Sequence, residues 1–149
     1  MTSATTLLSL LNLPGYGKKR VMGILADLEA DLDTPDILID YLSEFGQGPV
    51  PDKNQTKQAI ERANSTVEQS LAAGIQLISI SDSLYPDRLK KIPDPPPVIH
   101  ARGDLAGLSA AISVALIGTR DPSEYIKKST RRIGQYLAEM GSTVVSGLA

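Results

Sequence analysis

The run Val114-Ala115-Leu116-Ile117 stops abruptly at Gly118-Thr119-Arg120, and a helical pattern follows within a few residues. An apolar run this short, bounded by a glycine turn, reads as a buried strand feeding a tight bend. Strand, turn and helix form the unit with which α/β folds hold phosphate, because the helix N-terminus offers unpaired N–H groups and the positive end of its dipole. After the turn, Ile126, Thr130, Ile133, Leu137 and Met140 recur at spacings of four, three, four and three, which predicts a helix laying that stripe on a sheet. Gly141 is its stop. Thr143-Val144-Val145 reads as the next strand, turning at Ser146-Gly147. Such a crossover is expected to be parallel and right-handed. Ligands of these sheets bind at the carboxyl ends of the strands, which puts Gly118-Thr119-Arg120 and Ser146-Gly147 on one rim if the strands are neighbours. Small residues, hydroxyls, backbone N–H groups and an Arg suit a phosphate-bearing target.

Other chemistries are poorly supplied. The 149 residues contain no Cys and one His, which excludes disulfides, thiol catalysis and Cys- or His-cluster metal sites. Neither G-x-G-x-x-G nor a P-loop occurs, so NTP hydrolysis is not suggested. No cofactor is expected. The start lacks a basic leader and no segment approaches the ~20 apolar residues of a membrane span, so a cytoplasmic protein is expected. The net charge of −2 hides an asymmetry: eight acids and no base lie between Asp27 and Asp52, whereas five bases and two acids lie between Arg120 and Arg132. That pattern fits either a local anion site or two solvated helix faces.

The first part of the chain reads as helical. Thr6 to Leu11 is followed by Leu13-Pro14-Gly15-Tyr16-Gly17 and then by Lys18 to Ala30, with Val21, Ile24, Leu25 and Leu28 on one face. Two helices joined by Pro-Gly-Tyr-Gly suggest a helix-hairpin-helix whose Gly15, Gly17 and Lys18 are candidate phosphate contacts, or else a structural αα-turn. Thr34-Pro35-Asp36 starts a third helix with Ile37, Leu38, Tyr41, Leu42 and Phe45 on one face. A fourth is expected from Gln55 to Ala73, with Ile60, Ala63, Val67 and Leu71 inward and Gly74 at its end. The character then changes. Ile75 to Ile80 reads as a strand, Ser81 to Lys91 as a short helix or turn with Pro86 suited to a first helical position, and Ile92 to Pro97 as extended chain. Val98 to Ala101 is a second strand, and Leu105 to Ala111 a weak helix leading to the strand Ser113–Ile117. Domains of residues 1–73 and 74–149 are expected.

Several of these segments, in this order, carry a family resemblance. Gly74-Ile75-Gln76-Leu77-Ile78, Leu84-Tyr85-Pro86-Asp87-Arg88-Leu89, Ile92-Pro93-Asp94-Pro95-Pro96, Val98 to Gly103, Val114 to Ser123 and Val144 to Ala149 resemble the DNA-processing protein A (DprA/Smf) family. The N-terminal hairpin is similar to the SAM-like domain that many members carry. The resemblance implies an α/β fold, in which a helical SAM-like or helix-hairpin-helix domain precedes an incomplete Rossmann-like sheet. It further implies a non-enzymatic protein that binds single-stranded DNA, forms a homodimer and loads a RecA-type recombinase in natural transformation. The family's phosphate pocket maps onto Gly118, Thr119, Arg120, Ser146, Gly147 and Ala149. Lys127, Lys128, Arg131 and Arg132, on the helix that follows, could track a DNA backbone or face solvent, with Lys127 the candidate contact. Tyr125-Ile126 stands where the family has Tyr-Gly, and the family continues past the position of Ala149 with further βα units. Only the first part of the sheet is therefore expected, and an inactive fragment is one alternative. A nucleotide or nucleotide-sugar binding protein on the same sheet is another. Tyr85 and Tyr125 are candidates for base stacking or, for Tyr85, for packing. His100 has no visible partner and reads as packing or surface.

Overall fold

Ser3 opens the first helix, α1 (Ala4–Asn12), by accepting a hydrogen bond from the Thr6 amide at 3.1 Å. The computed structural model describes residues 2–25, 35–46 and 48–147. Three further helices follow: α2 (Lys18–Leu25), α3 (Pro35–Phe45) and α4 (Lys53–Ala72). The expected continuation of α2 to Ala30 and the capping role of Thr34 lie outside the described residues. α4 starts two residues before Gln55 because Asp52 and Gln55 form a reciprocal capping box, Asp52 accepting from the Gln55 amide at 2.8 Å and Gln55 from the Asp52 amide at 3.0 Å. It ends at Gly74, whose φ of +66° is the left-handed conformation that closes a helix.

These helices share one core of Leu7, Leu10, Leu13, Tyr16, Val21, Ile24, Leu38, Leu42, Ala59 and Ile60. Full burial of a Leu or Ile side chain is worth ~1.5–3 kcal/mol, so this cluster is the main source of stability. Two inward faces differ from the expected ones. On α3 only Leu38 and Leu42 are buried, while Ile37 and Phe45 are half exposed and Phe45 leans on the Tyr41 ring at 5.1 Å. On α4 the buried face runs through Thr56, Ala59, Ile60, Ala63 and Ser70, and Leu71 is exposed.

Strand β1 (Gln76–Ser79) pairs antiparallel with β2 (Val98–Ala101), Gln76 opposite Ala101 and Ser79 opposite Val98. Both α1 and α4 pack on β1. Ile78 is fully buried, and the buried Ser79 hydroxyl donates to the Thr2 carbonyl at 2.8 Å. Between the strands lies α5 (Asp87–Lys90), with Pro86 at the N-cap, one place before the first helical position.

A short 3-10 turn at Leu105–Ser109 replaces the weak helix expected to reach Ala111. It is followed by β3 (Ser113–Ala115), α6 (Glu124–Glu139) and β4 (Thr143–Val145). β3 ends two residues short of Ile117. β3 and β4 are parallel neighbours, Ser113 opposite Thr143 and Ala115 opposite Val145. The fold is thus mixed α/β, a helical part followed by strands, and is consistent with an incomplete Rossmann-like fold. By compactness the chain forms two units, Met1–Leu105 and Ala106–Ala149, a division that does not coincide with the change of sequence character at Gly74.

Within Ala106–Ala149 no described residue is fully buried. Of the stripe expected to face the sheet, only Leu137 is partly covered; Ile126, Thr130, Ile133 and Met140 are exposed. The reason is width. A helix with its side chains is ~10 Å across, and two strands ~4.8 Å apart cannot cover its apolar arc. A Cβ on Gly134 would lie 3.9 Å from the Leu116 side chain, and α6 also packs against β4.

Candidate nucleic-acid interface

The rim is built by the parallel pairing. Past the last paired residues the Leu116 amide still donates to the Val145 carbonyl at 2.9 Å, so both chains leave the sheet at the same end. From there one runs into Gly118-Thr119-Arg120 and the other into Ser146-Gly147. All five residues are exposed. Ala149 lies outside the described residues. The first turn is shaped by Thr119, whose hydroxyl accepts from the Asp121 amide at 3.3 Å. Ser123 then caps α6 by accepting from the Ile126 amide at 3.4 Å.

The glycines on this rim are not required by the fold. Neither Gly118 nor Gly147 has a positive φ, and a Cβ on either meets nothing within 4 Å. Both positions leave room for close approach to the backbone.

Lys127 lies one turn into α6, where its ammonium pairs with Glu124 at 2.7 Å. Tyr125 is 76% exposed. Tyr85 is buried, its hydroxyl donating to the Pro96 carbonyl at 2.7 Å, which leaves no ring face for a base. Burial also raises its pKa above the ordinary tyrosine value. His100 lies exposed on β2.

The hairpin carries cationic side chains of its own. Gly15 needs its φ of +79°, and a Cβ there would press on Pro49 at 3.4 Å; Gly17 has open space. Lys18 is engaged by Asp94, pairing with its carboxylate at 2.7 Å and donating to its carbonyl at 2.8 Å. Arg20 folds back, donating to the Gly15 carbonyl and lying 5.5 Å from the centre of the Tyr16 ring. Burial raises the Tyr16 pKa, and the Arg20 charge opposes this more weakly. Asp94 was not visible as a partner because 76 residues separate it from Lys18. Among the described residues no helix is long and apolar enough to cross a membrane.

The family model for DNA recombination-mediator protein A matches residues 76–149, the stretch that contains both rim turns. Residues 76–149 belong to the DprA/Smf family. Among similar proteins, the DNA processing protein DprA of Bacillus subtilis is 35% identical over 97 residues, covering 65% of this chain and 33% of that protein. Protein Smf of Synechocystis sp. is 39% identical over 77 residues, 50% of this chain and 19% of that one. Protein Smf of Borreliella burgdorferi is 38% identical over 65 residues, 44% and 20% respectively. This chain therefore spans a third or less of these relatives.

Proposed function

We propose that this chain is a non-enzymatic, cytoplasmic single-stranded DNA-binding protein that holds a phosphate on the rim where β3 and β4 end. The observation that carries the reading is the exposed Arg120 on a glycine turn beside Ser146-Gly147, within the segment that matches the DNA recombination-mediator family. In this reading Arg120 supplies charge and paired donors. The backbones of Gly118, Thr119, Ser146 and Gly147, with Ala149, complete the cradle, and Lys127 contributes once freed from Glu124. Gly15, Gly17 and Lys18 form a secondary contact that requires Lys18 to leave Asp94. The biological setting is DNA processing in natural transformation, with a homodimer handing single strands to a RecA-type recombinase. Residues 1–73 act as the helical SAM-like domain and 74–149 as the first part of the Rossmann-like domain.

The test is fluorescence anisotropy of a labelled oligodeoxythymidine at several salt concentrations, comparing the chain with Arg120→Ala. Loss of one phosphate contact on a single strand lowers the slope of log K against log salt by about 0.7. Absence of binding, or a variant with unchanged affinity and slope, overturns the reading.

A further inference from the structure

One face of α6 has an order that packing does not explain. Tyr125, Lys128, Arg132 and Tyr136 stand at i, i+3, i+7 and i+11, the spacing that aligns side chains along one helix face. All four are exposed, the tyrosines at 76% and 62%. Neither tyrosine ring contributes to a core. The face is distinct from the edge that meets the sheet through Gly134 and Leu137. Glu124, in the first turn of α6, is taken by Lys127 at 2.7 Å. At its far end the face is closed by Glu139, which accepts from Gln135 at 2.9 Å. What remains is a strip of aromatic, cation, cation, aromatic.

We infer that this strip is a track for single-stranded nucleic acid, in which Lys128 and Arg132 hold successive phosphates and Tyr125 and Tyr136 stack bases on either side. Four residues of helix separate the cations by ~6 Å, about one nucleotide step of an extended strand, and eleven residues set the tyrosines ~16.5 Å apart. Non-specific single-strand binders combine these two elements, a cationic path for the backbone and aromatic faces for the bases. A duplex fits poorly, since its bases are already stacked and cannot reach the tyrosines. The track rests on the single-strand reading proposed above and extends it from one phosphate at the rim to several nucleotides along α6.

The experiment measures binding of the 149-residue chain to labelled oligodeoxythymidines of about four and about twelve nucleotides, lengths within the range single-strand modules occupy. Variants are Tyr125→Ala, Tyr136→Ala, the corresponding Phe changes, Lys128→Gln with Arg132→Gln, and Arg120→Ala. At ~6 Å per step the track spans about four nucleotides, so it requires that each Tyr→Ala change weaken binding of both oligonucleotides about ten-fold and that Phe restore it. The double charge variant should lower the salt slope for both. If the α6 variants bind both lengths as the parent does, the track is wrong. If Phe fails to rescue, stacking is wrong. If Arg120→Ala leaves binding intact while the α6 variants lose it, the rim reading fails and the track stands. If the parent chain binds neither length, both fall.

Discussion

The Tyr85 hydroxyl donates to the Pro96 carbonyl across 2.7 Å, tying the turn before α5 to the proline segment that precedes β2. Prolines supply no N–H, so this segment cannot be held by a backbone ladder along its length. A side chain does the fastening. Tyr85→Phe should lower stability by about 1 kcal/mol, the usual net worth of one hydrogen bond, and Tyr85→Ala by about 3–5 kcal/mol. Urea midpoints at unchanged m-value check both.

Stability should fall at alkaline pH in a way that depends on two tyrosines. Burial raises the pKa of Tyr85, and of Tyr16 despite the opposing Arg20 charge. Unfolded tyrosines ionise near 10, so above that pH the unfolded chain holds fewer protons than the folded one. The contribution is fully present below about pH 10 and is lost as the pH climbs through the raised folded values. Melting temperatures followed from pH 8 upward should decline less steeply in Tyr85→Phe and Tyr16→Phe than in the parent. Parallel curves would contradict the assignment.

Asp52→Ala removes one half of the α4 capping box and should cost about 1 kcal/mol, while Asp52→Asn should keep most of it. Denaturation monitored by helical circular dichroism distinguishes the two.

The Lys18–Asp94 pair is half exposed, at 35% and 53% for the two side chains, so Asp94→Asn should change stability by less than about 1 kcal/mol, and less still in high salt. It should leave Arg120-dependent DNA binding in place. A gain in affinity that persists in Arg120→Ala would instead assign the binding to the hairpin.

Local signals carried far in this chain. The strand limits of β2 and β4, the glycine stops of α4 and α6 and the parallel crossover follow from residues that sit next to one another. The capping box was equally local, Asp52 standing three residues before Gln55. Phase without partner was the weak point. The period of Ile126, Ile133 and Met140 places them on one face, but exposure is set by how many strands lie beneath. The same holds for Phe45 and Leu71, whose periodicity fits their helices while the neighbours needed to cover them do not reach. Of the candidate site, the rim turns were readable from strand ends. The commitments of Lys18 to Asp94 and of Arg20 to Tyr16 and Gly15 depend on the folded path of the chain.

Ser79 reaching back to Thr2, with Ile78 sealed under α1 and α4, has a bearing on ancestry. The β1–β2 pair begins the family segment, yet its inner surface is completed by helices that lie before that segment. A recombination event that exchanged everything ahead of Gly74 would strand an apolar side chain and a hydroxyl unless the incoming helices matched them. The helical module and the first strand pair are therefore expected to pass between lineages as a single heritable block, with crossovers tolerated nearer Leu105 than Gly74.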